Sequence, residues 1–468
     1  MIEITIRELV NATGGTLVRG REGQTLCGVS SDSRSLGAED VFFALPGEKF
    51  DGHDFLAAAA SSSCAAVVVS LPDRVPEAYA GAVVSVPDTV RAYQDLAAYV
   101  RERVNPFVVA VTGSVGKTSL KDMLGQAFGS RFRTVVTEKN FNNHLGLPLT
   151  IFRMDAQTEV LVAEMGMDIP GEILRLVEIA RPDVGLISNI GLSHRENFSD
   201  DEGIFRAKME LVTYFGSENL LIVNGDDPKL AGVAFGSPQP YRILTAGTDA
   251  RCDYVVEEAC AHGDGTVSFT VTRGQEQADF RVEAAGLYNA LYAAMTAAAC
   301  GQKDIPLAAV AQAVQKVQRT AHRLEVIKHG SITIIDDSYN ASPDSMRSGI
   351  EVLMALAGGR KFAVLAGMNE LGPASAALHG QVGREAVLAG VDGLIAVGSG
   401  AAELYNGAVE EAAACGRVAC TLTYCADNAA AVETILDEWQ AGDVYLLKGS
   451  NSMRMWEIAD GLMEADFS

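Results

Sequence analysis

The chain has 468 residues, 48% hydrophobic and 21% charged, with 37 Lys+Arg against 60 Asp+Glu and a formal net charge of -23. That composition excludes a disordered chain and suits a folded protein of two or three domains. The negative field excludes a general nucleic-acid groove or an anionic membrane surface, so any anionic substrate needs a locally basic pocket.

The opening MIEITIRELV lacks the basic-then-apolar order of a secretory signal, and no apolar run nears the roughly 20 residues of a membrane span. A cytoplasmic location is expected. In the first hundred residues, the apolar runs DVFFAL and AAVVVSL are separated by the polar, glycine-rich PGEKFDGHDF. They read as a small α/β domain. DTVRAYQDLAAYVRERVN carries apolar residues at helical spacing, and Pro106 opens a segment that starts with the buried-type strand FVVAVTG. A boundary is expected between about 85 and 105.

That strand runs into TGSVGKTS, residues 112–119. Gly113 and Gly116 let the backbone wrap closely around phosphate oxygens, with Ser114 and Val115 between them, and the amides opening the next helix point at the same anion. Lys117 adds a point charge for the outer phosphates, and Thr118 or Ser119 supplies a hydroxyl for Mg²⁺. The strict pattern wants glycine where this chain has Val111, so the loop is a variant. It implies ATP use but names no reaction.

Further on, VLVAEMG, VGLISNI and LLIVNGDD are strand-length apolar runs alternating with helical segments, as in a parallel sheet with helices on both faces. The stretch from Asp253 to Val282 alternates and reads as added antiparallel strands. The helix LYNALYAAMTAAACG follows, with Gly301 as its stop signal. Glu164 ends one strand run and His194 follows another, at the carboxyl edge where open sheets bind ligands. Each is a candidate Mg²⁺ ligand. After about Arg319 the pattern restarts as a second, smaller α/β unit with SITIIDDSYNA, FAVLAG, GLIAVG and VYLLKGS. The eight cysteines are scattered; Cys415, Cys420 and Cys425 have neither a CxxC spacing nor a histidine beside them, and free thiols are expected.

These blocks together resemble the Mur ligase family, the ATP-dependent amide-forming enzymes that build the peptide of the bacterial cell wall. The resemblance rests on TGSVGKTS, TEKNFNNHLGLPLT, the EMG after Ala163, SNIGLSH, the lysine of GIFRAKMEL, IDDSYNASPDSM at 335–346, KGSNSMRM at 448–455, SSDSR at 30–34 and FFALPGEKFDGHDF at 42–55. Within the family, the signature at 335–346 is most similar to members that join D-alanyl-D-alanine to UDP-N-acetylmuramoyl-tripeptide.

The resemblance implies an α/β fold of three domains. These are an N-terminal UDP-sugar domain at 1–87, a central domain at 88–318 with a P-loop parallel sheet, and a Rossmann-like C-terminal domain at 319–468. It implies that Gly113, Ser114, Val115, Gly116, Lys117, Thr118 and Ser119 cradle ATP, and that Thr118, Glu164 and His194 hold Mg²⁺ directly or through water. Lys208 aligns with a lysine that many members carry as a carbamate, able to ligate a second Mg²⁺; Lys117, Lys208 and His194 form the catalytic set. Asn289 is implied at the adenine, and Arg323 and Asp337 near the ribose and phosphates. On the substrate side stand Ser31, Asp32, Ser33 and Arg34 for the UDP-sugar, with Asn142 and Asn143, and Tyr339, Asn340 and Ser345 for the dipeptide. A monomer without nucleic-acid or membrane partners is expected.

The chain departs from the family pattern at Tyr288, Tyr292, Gly367 and Ser342. A sister ligase adding the third residue would carry a DNPR-type motif, which is absent. Folylpolyglutamate synthetase would not need SSDSR and DGHDF, and a nucleotide switch would leave Glu164, His194 and SYNASP unexplained.

Overall fold

The computed structural model describes residues 1–47, 49–191, 195–198, 200–317, 320–416 and 420–467. The chain forms two compact units, one of Met1–Ala110, Arg131–Met167 and Gly171–Val184, the other of Val111–Ser130, Asp168–Pro170 and Gly185–Ser468.

In the first unit a five-stranded sheet runs in the order Thr16–Arg19, Ala82–Ser85, Ala66–Val69, Asp40–Phe43 and Gly28–Ser30. Its first pair is antiparallel and the rest are parallel. The runs DVFFAL and AAVVVSL supply its inner strands, where Phe42, Phe43, Val67 and Val68 are fully buried. Continuous apolar runs, rather than alternation, are what a sheet covered on both faces requires. The helix Thr89–Val104 starts where the Asp88 carboxylate accepts from the Val90 and Arg91 amides, and ends at Asn105 in the left-handed region (φ 50). Its Tyr93 meets Phe43 and Phe152 edge-on, with ring centroids 5.2 and 5.1 Å away. Two further strands of this unit, Thr134–Val136 and Val160–Glu164, pair in parallel.

In the second unit the strands Leu220–Asn224, Arg242–Gly247 and Tyr254–Ala261 pair in parallel. The next two, Val267–Arg273 and Glu276–Val282, are antiparallel additions, as the alternating pattern there predicts. The Ala-rich helix Tyr288–Cys300 is buried nearly all round and packs on Lys117–Gly129. Its end differs from the expected glycine stop. Gly301 stays helical (φ -60), the chain continues as a tight turn to Lys303, and Asp304 takes the left-handed conformation (φ 54). Asp tolerates that region well enough to make the reversal itself.

The last third carries a six-stranded sheet in the order Glu325–His329, Ile332–Asp337, Val444–Lys448, Lys361–Ala366, Gly393–Val397 and Thr421–Cys425. Only the first pair is antiparallel. An apolar layer covers each face, one centred on Ile335, Leu353, Leu365 and Leu446, the other on Ile334, Val364, Leu447 and Ile458. Cys27, Cys64, Cys252, Cys260, Cys300, Cys415 and Cys425 are free thiols. Among the described residues, no helix is long and apolar enough to cross a membrane.

Candidate active site

The loop 112–119 links the strand Phe107–Thr112 to the helix Lys117–Gly129. Gly113 has φ 150, and a Cβ there would stand 1.9 Å from Ser188 Oγ; Gly116 has φ 84, and a Cβ there would stand 1.9 Å from the Tyr292 phenol oxygen. Both positions therefore need glycine twice over, for conformation and for space. Tyr292, a departure from the family pattern, is the buried floor under the loop.

Residues just past the strand Val184–Ile187 brace the loop from the side. Asn189 Oδ1 accepts from the Ser114 and Val115 amides at 3.0 and 2.9 Å. Ser188 Oγ donates to the Val115 carbonyl at 2.6 Å, and Ser114 Oγ accepts from the Gly191 amide at 2.8 Å. Asp227, which caps Pro228–Ala234, accepts from the Ile190 amide at 2.8 Å. Two loop amides are thus engaged by Asn189. The opening of the Lys117–Gly129 helix has neither a side-chain cap nor an acidic residue in its first turn, which suits an anion. Lys117 curls back over the loop, its Nζ donating to the Gly113 carbonyl at 2.8 Å. Thr118 is buried on the helix's first turn.

Lys208, on the helix Asp201–Met209, is only 1% exposed. Among the described residues it meets no carboxylate. Burial and then the positive charge of Lys117 push its pKa well below the ordinary lysine value. The pair asks for an anion beside it or for a neutral amine at 208. His194 lies outside the described residues.

A cleft is walled by Met123, Val282, Val314 and Leu324, with Asn289 and Arg323 among its polar groups. Asn289 Nδ2 donates to the Ala285 and Gly286 carbonyls at 2.8 and 3.0 Å, leaving its amide oxygen as the acceptor for a ligand N–H. The Arg323 guanidinium lies 4.0 Å over the Tyr339 ring, and its Nε is buried with no partner among the described residues. Asp337 forms an ion pair with Lys448 and accepts from the Leu324 amide at 3.2 Å. Burial pushes its carboxyl up, while Lys448 and Arg323 pull it down.

Asn340 is exposed at the turn after Asp337. Ser345 is engaged locally: its hydroxyl accepts from the Ser342 amide at 2.9 Å, closing the capping box of the helix Pro343–Ala355. Gly367, where the family favours aspartate, abuts Gly400, whose backbone a Cβ would meet at 3.2 Å. A side chain there requires the Gly400 backbone to give by a few tenths of an ångström.

In the first unit, Glu164 ends its strand 2% exposed. Its Oε1 accepts from Asn142 Nδ2 at 2.9 Å, and its Oε2 is buried without a hydrogen-bond partner among the described residues. An ionised, unpaired carboxylate oxygen is costly unless a cation completes it. That atom fits a hard divalent ion. Asn143 Oδ1 accepts from the Leu145 and Gly146 amides at 3.2 and 2.9 Å, shaping the entry to Gly146–Phe152. Around Ser31 and Ser33, Asp32 accepts from the Arg34 amide at 3.0 Å and from its guanidinium at 2.9 and 2.8 Å. Those bonds draw the Asp32 carboxyl down to about 2.

Sequence reasoning did not single out Ser188, Asn189, Asp227 or Lys448. The available signal was that of Glu164, a polar residue closing or following an apolar strand.

Family models match in order along the chain: "Mur ligase family, catalytic domain" at 25–108, "Mur ligase middle domain" at 111–300 and "Mur ligase, glutamate ligase domain" at 322–451. The UDP-N-acetylmuramoyl-tripeptide--D-alanyl-D-alanine ligase of Bacillus subtilis (strain 168) is 34% identical over 473 residues, covering 100% of both chains. Among solved structures, MurF from Acinetobacter baumannii matches with a TM-score of 0.89 at 28% identity over 99% of each chain. MurF ligase from Thermotoga maritima, solved in complex with ADP, matches with a TM-score of 0.80 at 25% identity, covering 93% of this chain and 97% of its own. With likeness spanning its whole length, the chain belongs to the Mur ligase family and has that family's three-domain α/β architecture.

Proposed function

We propose that the protein is the ATP-dependent ligase that joins D-alanyl-D-alanine to the terminal carboxylate of UDP-N-acetylmuramoyl-tripeptide, making the pentapeptide precursor of peptidoglycan. The observation that carries this reading is the end-to-end likeness to the Bacillus subtilis ligase. The phosphate loop and the buried Lys208 amine beside the Lys117 charge agree with it.

A carboxylate is a poor electrophile, and amide formation in water is uphill. The γ-phosphoryl group of ATP passes to the peptide carboxylate, giving an acyl phosphate; the dipeptide amine then attacks and phosphate leaves. Both steps gather negative charge, so the protein contributes mainly fixed positive charge and amides. Lys117 and the opening of its helix hold the outer phosphates. Asn289 and Arg323 hold the nucleoside end in the cleft, and Ser31, Asp32, Ser33 and Arg34 hold the UDP-sugar. Asn142 orients Glu164. Tyr339 and Asn340 face the dipeptide, with Ser345 shaping the helix behind them.

Mg²⁺, when bound, neutralises phosphate charge and orients the transferred group. Thr118, Glu164 and His194 would hold Mg²⁺ directly or through water, and Lys208, if carried as a carbamate, would ligate a second ion. The reading includes domains at 1–87, 88–318 and 319–468, a cytoplasmic location and a monomer.

The test is purified protein with ATP, Mg²⁺, UDP-N-acetylmuramoyl-tripeptide and D-alanyl-D-alanine, following phosphate and coupled product. Release that needs the dipeptide is expected. Release with a single amino acid and the UDP-linked dipeptide instead would reassign the chain to the sister ligase.

A further inference from the structure

Resting on that reading, we propose that Lys448 is a positioning residue that fixes the Tyr339–Asn340 turn against which the incoming dipeptide amine is placed. Asp337 and Lys448 end adjacent parallel strands and are register partners. Lys448 is 2% exposed, and its ammonium has two partners on the turn side, the Asp337 carboxylate and the Asn340 carbonyl, the latter at 3.0 Å.

Three residues on, Asn451 Nδ2 donates to the Tyr339 carbonyl at 3.1 Å. The same residue is held from its other end, where the Tyr339 amide donates to the His322 carbonyl at 3.1 Å, and Arg323 covers the ring. Successive carbonyls of an exposed turn are thus tied down by donors from a single segment, 448–451.

A buried ion pair is a poor device for stability, since two apolar side chains would serve as well or better. Lys448 does what an apolar residue cannot: it donates to a backbone carbonyl outside its own strand pair. Without it the Asn340 carbonyl loses its donor and the turn is free to move, while the nucleotide cleft keeps its lining. The loss therefore belongs to the amine substrate.

The experiment compares steady-state kinetics and thermal melting of Lys448→Met with Arg360→Met. Arg360 pairs with the buried Asp443 at the opposite end of the same strand, its Nη2 2.7 Å from the carboxylate, and serves as a control for destabilisation alone. Lys448→Met is expected to raise KM for D-alanyl-D-alanine about tenfold or more, with KM for ATP changed less than about threefold; Arg360→Met lowers the melting temperature and leaves the dipeptide KM in place. If Lys448→Met does not fold, Asn451→Ala, at an exposed side chain, is expected to raise the dipeptide KM about threefold. An unchanged dipeptide KM in the folded variants, or the same rise in Arg360→Met, overturns the positioning role. Absence of dipeptide-dependent turnover in the unaltered protein instead overturns the proposed activity.

Discussion

At Lys208 solvation decides the chemistry. In water a lysine is protonated near neutral pH and does not add to CO₂. Here the amine is buried beside the Lys117 charge, and its pKa falls well below the ordinary value. The neutral amine is the form that adds CO₂, and the carbamate proposed for it would place an anion beside a cation. The sign of the pH effect follows. Between the lowered folded pKa and the ordinary unfolded one, the unfolded chain holds one more proton, so the unmodified protein gains stability as pH rises through that window. Protein freed of CO₂ is expected to lose most turnover and to regain it with bicarbonate, and ¹³C-bicarbonate should give a carbamate resonance that Lys208→Ala lacks. A small added carboxylate should partly rescue that variant; near-normal activity of Lys208→Ala without rescue removes the residue from the site. Lys117→Ala takes away the charge proposed for the outer phosphates and is expected to lower kcat by about a thousandfold or more, with melting little changed. A modest loss confined to KM would leave Lys117 a binding group only.

Among the elements, the helix Pro343–Ala355 turns a departure from the family signature into a physical equivalence. Ser342 is its N-cap, and the box closes with Ser345. Asparagine and serine rank alike at that position, so Ser342→Asn should change stability by less than about 0.5 kcal/mol, whereas Ser342→Ala should cost about 1 kcal/mol in denaturant melts. Equal losses for both would show that the side chain acts elsewhere than at the cap. The strands that were legible in the sequence, such as Ala66–Val69 and Val444–Lys448, are continuous apolar runs because helices cover both faces. Thr421–Cys425 was not legible: it sits at the sheet edge, half exposed along TLTYC, and has no such run. The phosphate loop was legible because its glycines are required by φ. Its brace was not, because Asn189 and Asp227 reach it from strands distant in sequence, and nothing local distinguishes them from ordinary turn residues.

For the whole molecule, the net charge of -23 acts against two of its three substrates. ATP and the UDP-linked peptide are anions, and the cations assigned to them are committed at short range. Lys117 donates to loop carbonyls, Arg34 is paired with Asp32, and Arg323 lies over the Tyr339 ring. Such groups act at contact and project little field, so the approach of an anion is governed by the acidic surface. Raising monovalent salt from about 10 mM to about 150 mM shortens the screening length from roughly 30 to 8 Å. With Mg²⁺ in fixed excess, kcat/KM for ATP and for the UDP-peptide should rise over that range, then fall as salt begins to weaken the contacts themselves. D-alanyl-D-alanine, a zwitterion without net charge, is the internal control and should stay flat. A steady fall for the anions from the lowest salt would mean that a basic funnel outweighs the global charge. A parallel rise for the dipeptide would mean that salt acts on the enzyme rather than on the encounter.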